Sequence, residues 1–269
     1  MEKRIGFIGG GAMCNAIIGG IVKAEILLSQ NIIASDISSS KLEELKSEYG
    51  INITQDNLAV ASFADILFLA VKPNMYADVI NQIKDAVKKD VTIVVIALGQ
   101  TLEKVQQHFG KPLKIVRTMP NTPALVGAGM TALCKNNLVT EQDMKEVMHI
   151  FESFGKAEII SENLMNVIPG ISGSSPAYVF MFIEAMADAA VAEGMPRVQA
   201  YQFSAQAVLG AAKMVLETNI HPAQLKDNVC SPGGSTIAAV CELESLGFRN
   251  AVISAVQACT QKSRDMESK

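Results

Sequence analysis

The chain has 269 residues, of which 49% are hydrophobic and 19% charged. That balance supplies a buried core and excludes a disordered, collagen-like or low-complexity chain, and the length suits two modest domains or one large one. Twenty-three basic against 27 acidic residues leave a net charge of −4, without the basic face that a grip on nucleic acid requires. Five cysteines (Cys14, Cys134, Cys230, Cys241, Cys259) form no CxxC pair. The apolar run of the opening MEKRIGFIGG breaks at glycine, too soon for a secretion signal. Reduced thiols and a cytoplasmic location are expected. No 18 apolar residues run uninterrupted, so no membrane span is expected.

In chain order, short β-branched runs alternate with helical patterns up to about residue 160. The runs are Arg4–Ile8, Asn31–Ser35, Asp65–Val71, Val91–Ala97, Lys114–Thr118, Gly129–Cys134 and Ala157–Ile160. Amphipathic stretches at Ser39–Tyr49, Met75–Lys88 and Glu141–Phe154 lie between them, with apolar positions three to four apart. The runs Ile66–Val71 and Thr92–Ala97 are continuous rather than alternating in their apolar residues, as strands covered on both faces are. A doubly wound α/β domain is expected over 1–162.

From Asn163 onward the strand signals stop. Helices are expected over Pro176–Glu193, Pro196–Glu217, Gly234–Leu246 and Phe248–Arg264, with Pro176 and Pro196 in first turns. Between Val198 and Leu216 the only charge is Lys213. A helix apolar nearly all round is buried on every side, and a bundle of roughly 100 residues cannot bury several such helices alone. The region 163–269 is therefore expected to share contacts with a second subunit.

Arg4–Ile8 is followed by Gly9-Gly10-Gly11-Ala12-Met13-Cys14 and then by a helix expected over Asn15–Val22. Gly9 permits a tight turn. Gly11 lets the backbone approach a pyrophosphate at a helix N-terminus, where amide hydrogens and the helix dipole favour negative charge. Directly after a first strand, this string reads as a Rossmann-like dinucleotide fingerprint, with Cys14 in the usual glycine or alanine position. Asp36 closes the second strand, where a carboxylate accepts from the ribose 2′-OH of NAD. Two other readings stand beside it: Asp36 caps the following helix, or it turns away and Ser35, Ser38, Ser39, Ser40 and Lys41 cradle a 2′-phosphate. The choice between NADH and NADPH stays open.

Ala70-Val71-Lys72-Pro73-Asn74 lies at the carboxyl end of a buried strand, where ligands of open α/β sheets bind; Lys72 either faces a cofactor or is a solvated loop lysine. Met119-Pro120-Asn121-Thr122-Pro123 closes a later strand, as a cleft wall or as an ordinary turn. Ser231-Pro232-Gly233-Gly234-Ser235-Thr236 precedes a helix, and its successive amides read either as an anion nest for a substrate carboxylate or as a plain helix cap. His108, His149 and His221 have no metal spacing, and no serine or cysteine has nucleophile-elbow context. Hydroxyacid dehydrogenases of this layout carry a lysine after a GxxGxGxxx string, whereas Gly170–Tyr178 here runs on to Val179. Alcohol oxidation needs a base, but a protonated C=N bond accepts hydride directly, which favours an imine substrate.

The strings IGFIGGGAM at the start, AVKPN at 70–74, VRTMPNTPALVGAGMTAL at 116–133, GISGSSPAYVF at 170–180 and HPAQLKDNVCSPGGSTIAAVCELE at 221–244 resemble those of the pyrroline-5-carboxylate reductase family over essentially the full length. Cys14, Ser175 (usually glycine) and Ser235 (usually threonine or alanine) are small departures. The resemblance implies NAD(P)H-dependent reduction of 1-pyrroline-5-carboxylate to proline. It implies that Gly9, Gly11, Met13, Asn57 and the Ala70-Val71-Lys72-Pro73 loop hold NADPH or NADH, beside Ile8, Gly10, Ala12, Ser35 and Asp36 of the fingerprint itself; family members often favour NADPH, and Asp36 pulls the other way. Asn57 would lie near the adenosine ribose and Asn228 at the nicotinamide end. It places the substrate carboxylate on Ser231 and the Gly233-Gly234-Ser235-Thr236 backbone, with the Thr236 hydroxyl by the ring nitrogen as the catalytic group. It also implies an all-helical C-terminal dimerisation domain and a homodimer often built into a decamer.

Overall fold

The computed structural model describes residues 3–268. Eight strands form one sheet: β1 (Ile5–Ile8), β2 (Ile32–Ser35), β3 (Asn52–Thr54), β4 (Ile66–Leu69), β5 (Thr92–Val95), β6 (Lys114–Met119), β7 (Gly129–Lys135) and β8 (Gly155–Ile159). Their order is β3-β2-β1-β4-β5-β6-β7-β8. β1 through β6 pair in parallel, β7 pairs antiparallel to β6, and β8 pairs parallel to β7. The short β6–β7 connection explains the reversal, because a parallel return needs a crossover of a dozen residues or more.

Continuous apolar strands are explained by two cores. Ile66 and Phe68 point into one, with Phe7, Val94 and Val116; Leu67 and Leu69 point into the other, with Ile8, Ile93 and Val95. Helices α1 (Ala12–Lys23), α2 (Ser39–Tyr49) and α6 (Glu141–Glu152) cover the first, where Phe7 stacks on Phe68 at 4.6 Å and Phe68 meets Phe151 at 6.0 Å. Helices α3 (Asn57–Phe63), α4 (Tyr76–Ile83) and α5 (Leu102–Phe109) cover the second. One difference from the sequence expectation bears on the site: α1 begins at Ala12, not Asn15. Its N-cap, Gly11, has no side chain to signal the start, so the glycine run reads as a longer loop than it is.

Residues up to Ser174, with those from Cys259 on, form one compact unit, and Ser175–Ala258 form another. Strand signals thus end about 15 residues before the division by compactness. The chain between is helical: a π turn at Pro169–Gly173 is tied to the end of β6 by Asn121, whose Nδ2 donates to the Ser172 carbonyl at 2.9 Å. The C-terminal turns belong to the first unit through a buried arginine. Arg117 on β6 pairs with Glu162 at 3.2 Å and with Glu267 at 2.9 Å.

The second unit contains α7 (Ser175–Ala192), α8 (Arg197–Thr218), α9 (Pro222–Val229), α10 (Ser235–Ser245) and most of α11 (Phe248–Glu267). α7 buries only Ala187, and α8 only Ala200 and Ser204. Phe180, Met181, Val198 and Phe203 are all more than 60% exposed in a single chain. Pro169–Ala192 is long and apolar enough, by length and composition, to cross a membrane. Uninterrupted runs do not capture this, because Glu184 and Asp188 lie within it.

Candidate active site

The first site is built where the glycine run after β1 meets the carboxyl end of β4. Gly9 has φ +106°, and a Cβ there would lie 2.5 Å from the Ala70 carbonyl oxygen. Glycine alone lets the two strand ends close, with the Ala70 amide donating to the Ile8 carbonyl at 2.8 Å and the Gly9 amide to the Ser35 carbonyl at 2.7 Å. Gly11 is different. Its φ of −78° suits any residue, and no protein atom lies within 4 Å of where its Cβ would be. Neither conformation nor packing requires glycine there. The open space in front of it is what a close-approaching pyrophosphate needs, at a helix start without a side-chain cap.

A cavity of about 400 Å³ opens at this point. Ile8, Gly9, Gly11, Ser35 and Asp36 line one part of it, and Asn57, Ala70, Val71 and Lys72 another. Gly10 and Ala12 line an adjoining recess with Gly11. Met13 packs on the core, and Pro73 opens a short 3₁₀ turn outside the cavity lining. Asn57 Oδ1 accepts from the Ser35 hydroxyl at 2.7 Å, and its Nδ2 donates to Gln82 at 2.9 Å, so its amide is fixed at the cavity edge. Ile37, Met75 and Val79 also line the cavity. The last two stand one helical turn apart, and that apolar i, i+4 spacing was the available sequence signal.

Asp36 neither points away nor caps α2 as its main role. One carboxylate oxygen accepts from the Gly10 amide at 2.7 Å and the other from the Ser38 amide at 2.8 Å. Cys14 lies inside α1, fully buried. Burial, with the Asp36 charge second, pushes its thiol far above the usual range, so it is a packing residue and not a nucleophile.

The second unit carries the other sequence motif. Gly233 has φ +68°, and a Cβ on Gly234 would meet Ser231 Oγ at 2.5 Å. The Gly234 amide donates to the Ser231 carbonyl at 3.1 Å, and Gly234 caps α10 without a side-chain hydrogen bond. The first-turn amides of α10, from Ser235 and Thr236, therefore face outward from a helix start. Ser231, Gly233 and Ser235 are exposed and Thr236 half-buried. Asn228 is exposed on α9 and accepts from Gln224 at 2.8 Å. Asn121 accepts from the Met130 amide at 2.9 Å as well as holding the π turn, so the Met119–Pro123 segment serves as a clamp. No group of three His, Cys, Asp or Glu side chains is arranged to hold a metal among the described residues.

A family model of pyrroline-5-carboxylate reductase dimerisation matches residues 162–266, and one of F420-dependent NADP oxidoreductases matches residues 4–99. The pyrroline-5-carboxylate reductase of Escherichia coli K12 is 53% identical over 266 residues, 99% of each chain. The chain belongs to the pyrroline-5-carboxylate reductase family. A Synechocystis member is 39% identical over the full length of both chains. Among solved structures, the Coxiella burnetii reductase superposes with a TM-score of 0.92 at 35% identity, covering 99% of each chain. The Plasmodium falciparum pyrroline carboxylate reductase with NADP bound gives 0.90 at 35%, covering 99% of this chain and 98% of that one. In this family the helical second region is a dimerisation domain, which accounts for the exposed apolar faces of α7 and α8.

Proposed function

We propose that this chain reduces 1-pyrroline-5-carboxylate to L-proline with NADH or NADPH, the last step of proline biosynthesis. The observation that carries the reading is a full-length family relation in which both amide cradles are intact: the Gly9–Gly11 turn and the Ser231–Thr236 helix start.

When bound, the dihydronicotinamide supplies a hydride to the imine carbon. The chain's own residues position and neutralise. Gly11 and the start of α1 receive the pyrophosphate, and the carbonyl ends of β1 and β4 with Ala70, Val71 and Lys72 fix the coenzyme along the cavity. Ser231 and the amides after Gly233 take the substrate carboxylate. The Thr236 hydroxyl hydrogen-bonds at the ring nitrogen and holds its proton there. A protonated imine needs orientation more than a strong base, and this cradle consists of amides and hydroxyls.

Homodimer formation belongs to the family's dimerisation domain. Assembly into a decamer and the absence of a membrane partner complete the proposal on the family resemblance, and a cytoplasmic location on five free cysteines. Proline formation from pyrroline-5-carboxylate, followed with each coenzyme, tests it. Thr236→Ala is expected to lower kcat at saturating coenzyme while leaving the fold intact. No proline with either coenzyme refutes the reading and favours a dinucleotide-binding regulatory protein; turnover only of other cyclic imines corrects the substrate.

A further inference from the structure

We infer that Asp36 makes this chain select NADH over NADPH. The inference rests on reading the 400 Å³ cavity as the coenzyme site, and deepens it. A solved relative carries NADP, so family membership leaves the choice open. The carboxylate of Asp36 lines the cavity at the end of β2, the position from which an acidic side chain accepts from a ribose 2′-OH.

Its orientation is fixed from two sides. The Gly10 amide holds one oxygen at 2.7 Å and the Ser38 amide holds the other at 2.8 Å, and these amides belong to different loops. Rotation of Asp36 out of the cavity would strip both amides of their acceptor. Each carboxylate oxygen has a second lone pair, so the pinned group still accepts from a ribose hydroxyl.

The groups that would welcome a 2′-phosphate are present but compromised. Lys41 lines the same cavity and supplies one positive charge. The amide of Ser38, which a phosphate at the start of α2 would use, is already taken by Asp36. The hydroxyls of Ser38 and Ser40 bond to each other at 2.9 Å. Asp36 therefore acts against the 2′-phosphate twice, by charge and by occupying its donor. Lys41, exposed and solvated, offsets only part of this.

Isothermal titration of the full-length protein with NADH and with NADPH reads the preference directly, without turnover. The expected result is a Kd at least about 20-fold lower for NADH, since close like charges near a protein surface cost more than one factor of ten. Asp36→Ser, which frees the Ser38 amide, is expected to bring the two Kd values within about threefold by tightening NADPH. Thermal unfolding checks that this variant remains folded. Equal or tighter binding of NADPH by the unaltered protein overturns the inference, as does an undiminished NADH preference in folded Asp36→Ser. Tight NADH binding without proline formation would instead refute the proposed reaction and leave the coenzyme choice standing; binding of neither refutes both.

Discussion

Gly9 and Gly11 stand two residues apart in one turn, and the same substitution has opposite consequences at each. In Gly9→Ala the new methyl meets the Ala70 carbonyl oxygen at 2.5 Å and its carbon at 2.7 Å, while the backbone sits at φ +106°. To reach the 3.4 Å of ordinary contact, the ends of β1 and β4 must part by about 0.9 Å. Backbone strain of about 1–3 kcal/mol and overpacking of about 1–3 kcal/mol together predict a loss of about 2–6 kcal/mol. That corresponds to a fall in Tm of roughly 5–20 °C for a unit of this size. Gly11→Ala meets no protein atom and keeps an ordinary φ. It forfeits only the preference for glycine over alanine at an N-cap, within about 1 kcal/mol. Its methyl enters the open space that the proposed function gives to the pyrophosphate, so the coenzyme Kd is expected to rise at least about tenfold, or ~1.4 kcal/mol. Thermal unfolding and coenzyme titration, run on both variants at one protein concentration, separate the effects. A Gly11→Ala protein as destabilised as Gly9→Ala, or one that binds coenzyme unchanged, would refute this division of roles.

Arg117→Met should destabilise the protein by about 2–4 kcal/mol, less than the full cost of breaking a buried pair because Glu162 and Glu267 keep some solvent access. Hydrogen exchange should locate the loss in the last turns of α11, and unchanged protection there would count against the clamp. The Asp143 carboxyl is raised by burial, but hydrogen bonds from Thr140 and Lys114 outweigh this and hold it below its usual value. Its stabilisation is therefore complete above about pH 4 and lost as pH falls through the lowered value. Asp143→Asn should flatten the acid limb of a stability–pH curve, and an unaltered limb would exclude Asp143 as its source. Met181→Glu, at a site 69% exposed in one chain, should dissociate the oligomer without unfolding the first unit, as read by light scattering and circular dichroism.

The long elements were legible because one physical signal dominates each. Ile66–Leu69 and Ile93–Val95 are apolar throughout since helices cover both faces of the sheet. The span of α2 over Ser39–Tyr49 matches its expectation residue for residue. What escaped notice is short. β3 has three residues and no buried one, and α3, α5 and α9 have seven or eight each. Side-chain caps mark all three helices: Asp56 accepts from the Leu58 amide, Thr101 from the Lys104 amide and His221 from the Ala223 amide. The π turn at Pro169–Gly173 departs from the 3.6-residue period, so periodicity does not find it. At the site, Gly9 and Gly11 were readable from spacing. The state of Asp36 was not, because the Gly10 and Ser38 amides that fix it are brought together only by the β1–β2 pairing.

The two units also differ in how complete they are within one chain, and this separates the two binding steps physically. The coenzyme cavity rests on strands β1, β2 and β4, whose side chains are almost wholly buried by the chain's own helices. The nest at Gly233–Thr236 opens α10, which buries no residue, beside helices whose apolar faces are bare in a single chain. Bare faces of this kind are covered when subunits associate, and the start of α10 is then expected to gain packing that a single chain does not give it. If these amides hold the substrate carboxylate as proposed, association is expected to affect substrate binding more than coenzyme binding. A subunit weakened at Met181 should therefore retain its coenzyme Kd while its KM for the imine rises as the protein is diluted. If both constants moved together, substrate and coenzyme sites would depend equally on association, and the contrast in burial between the two units would carry no functional meaning.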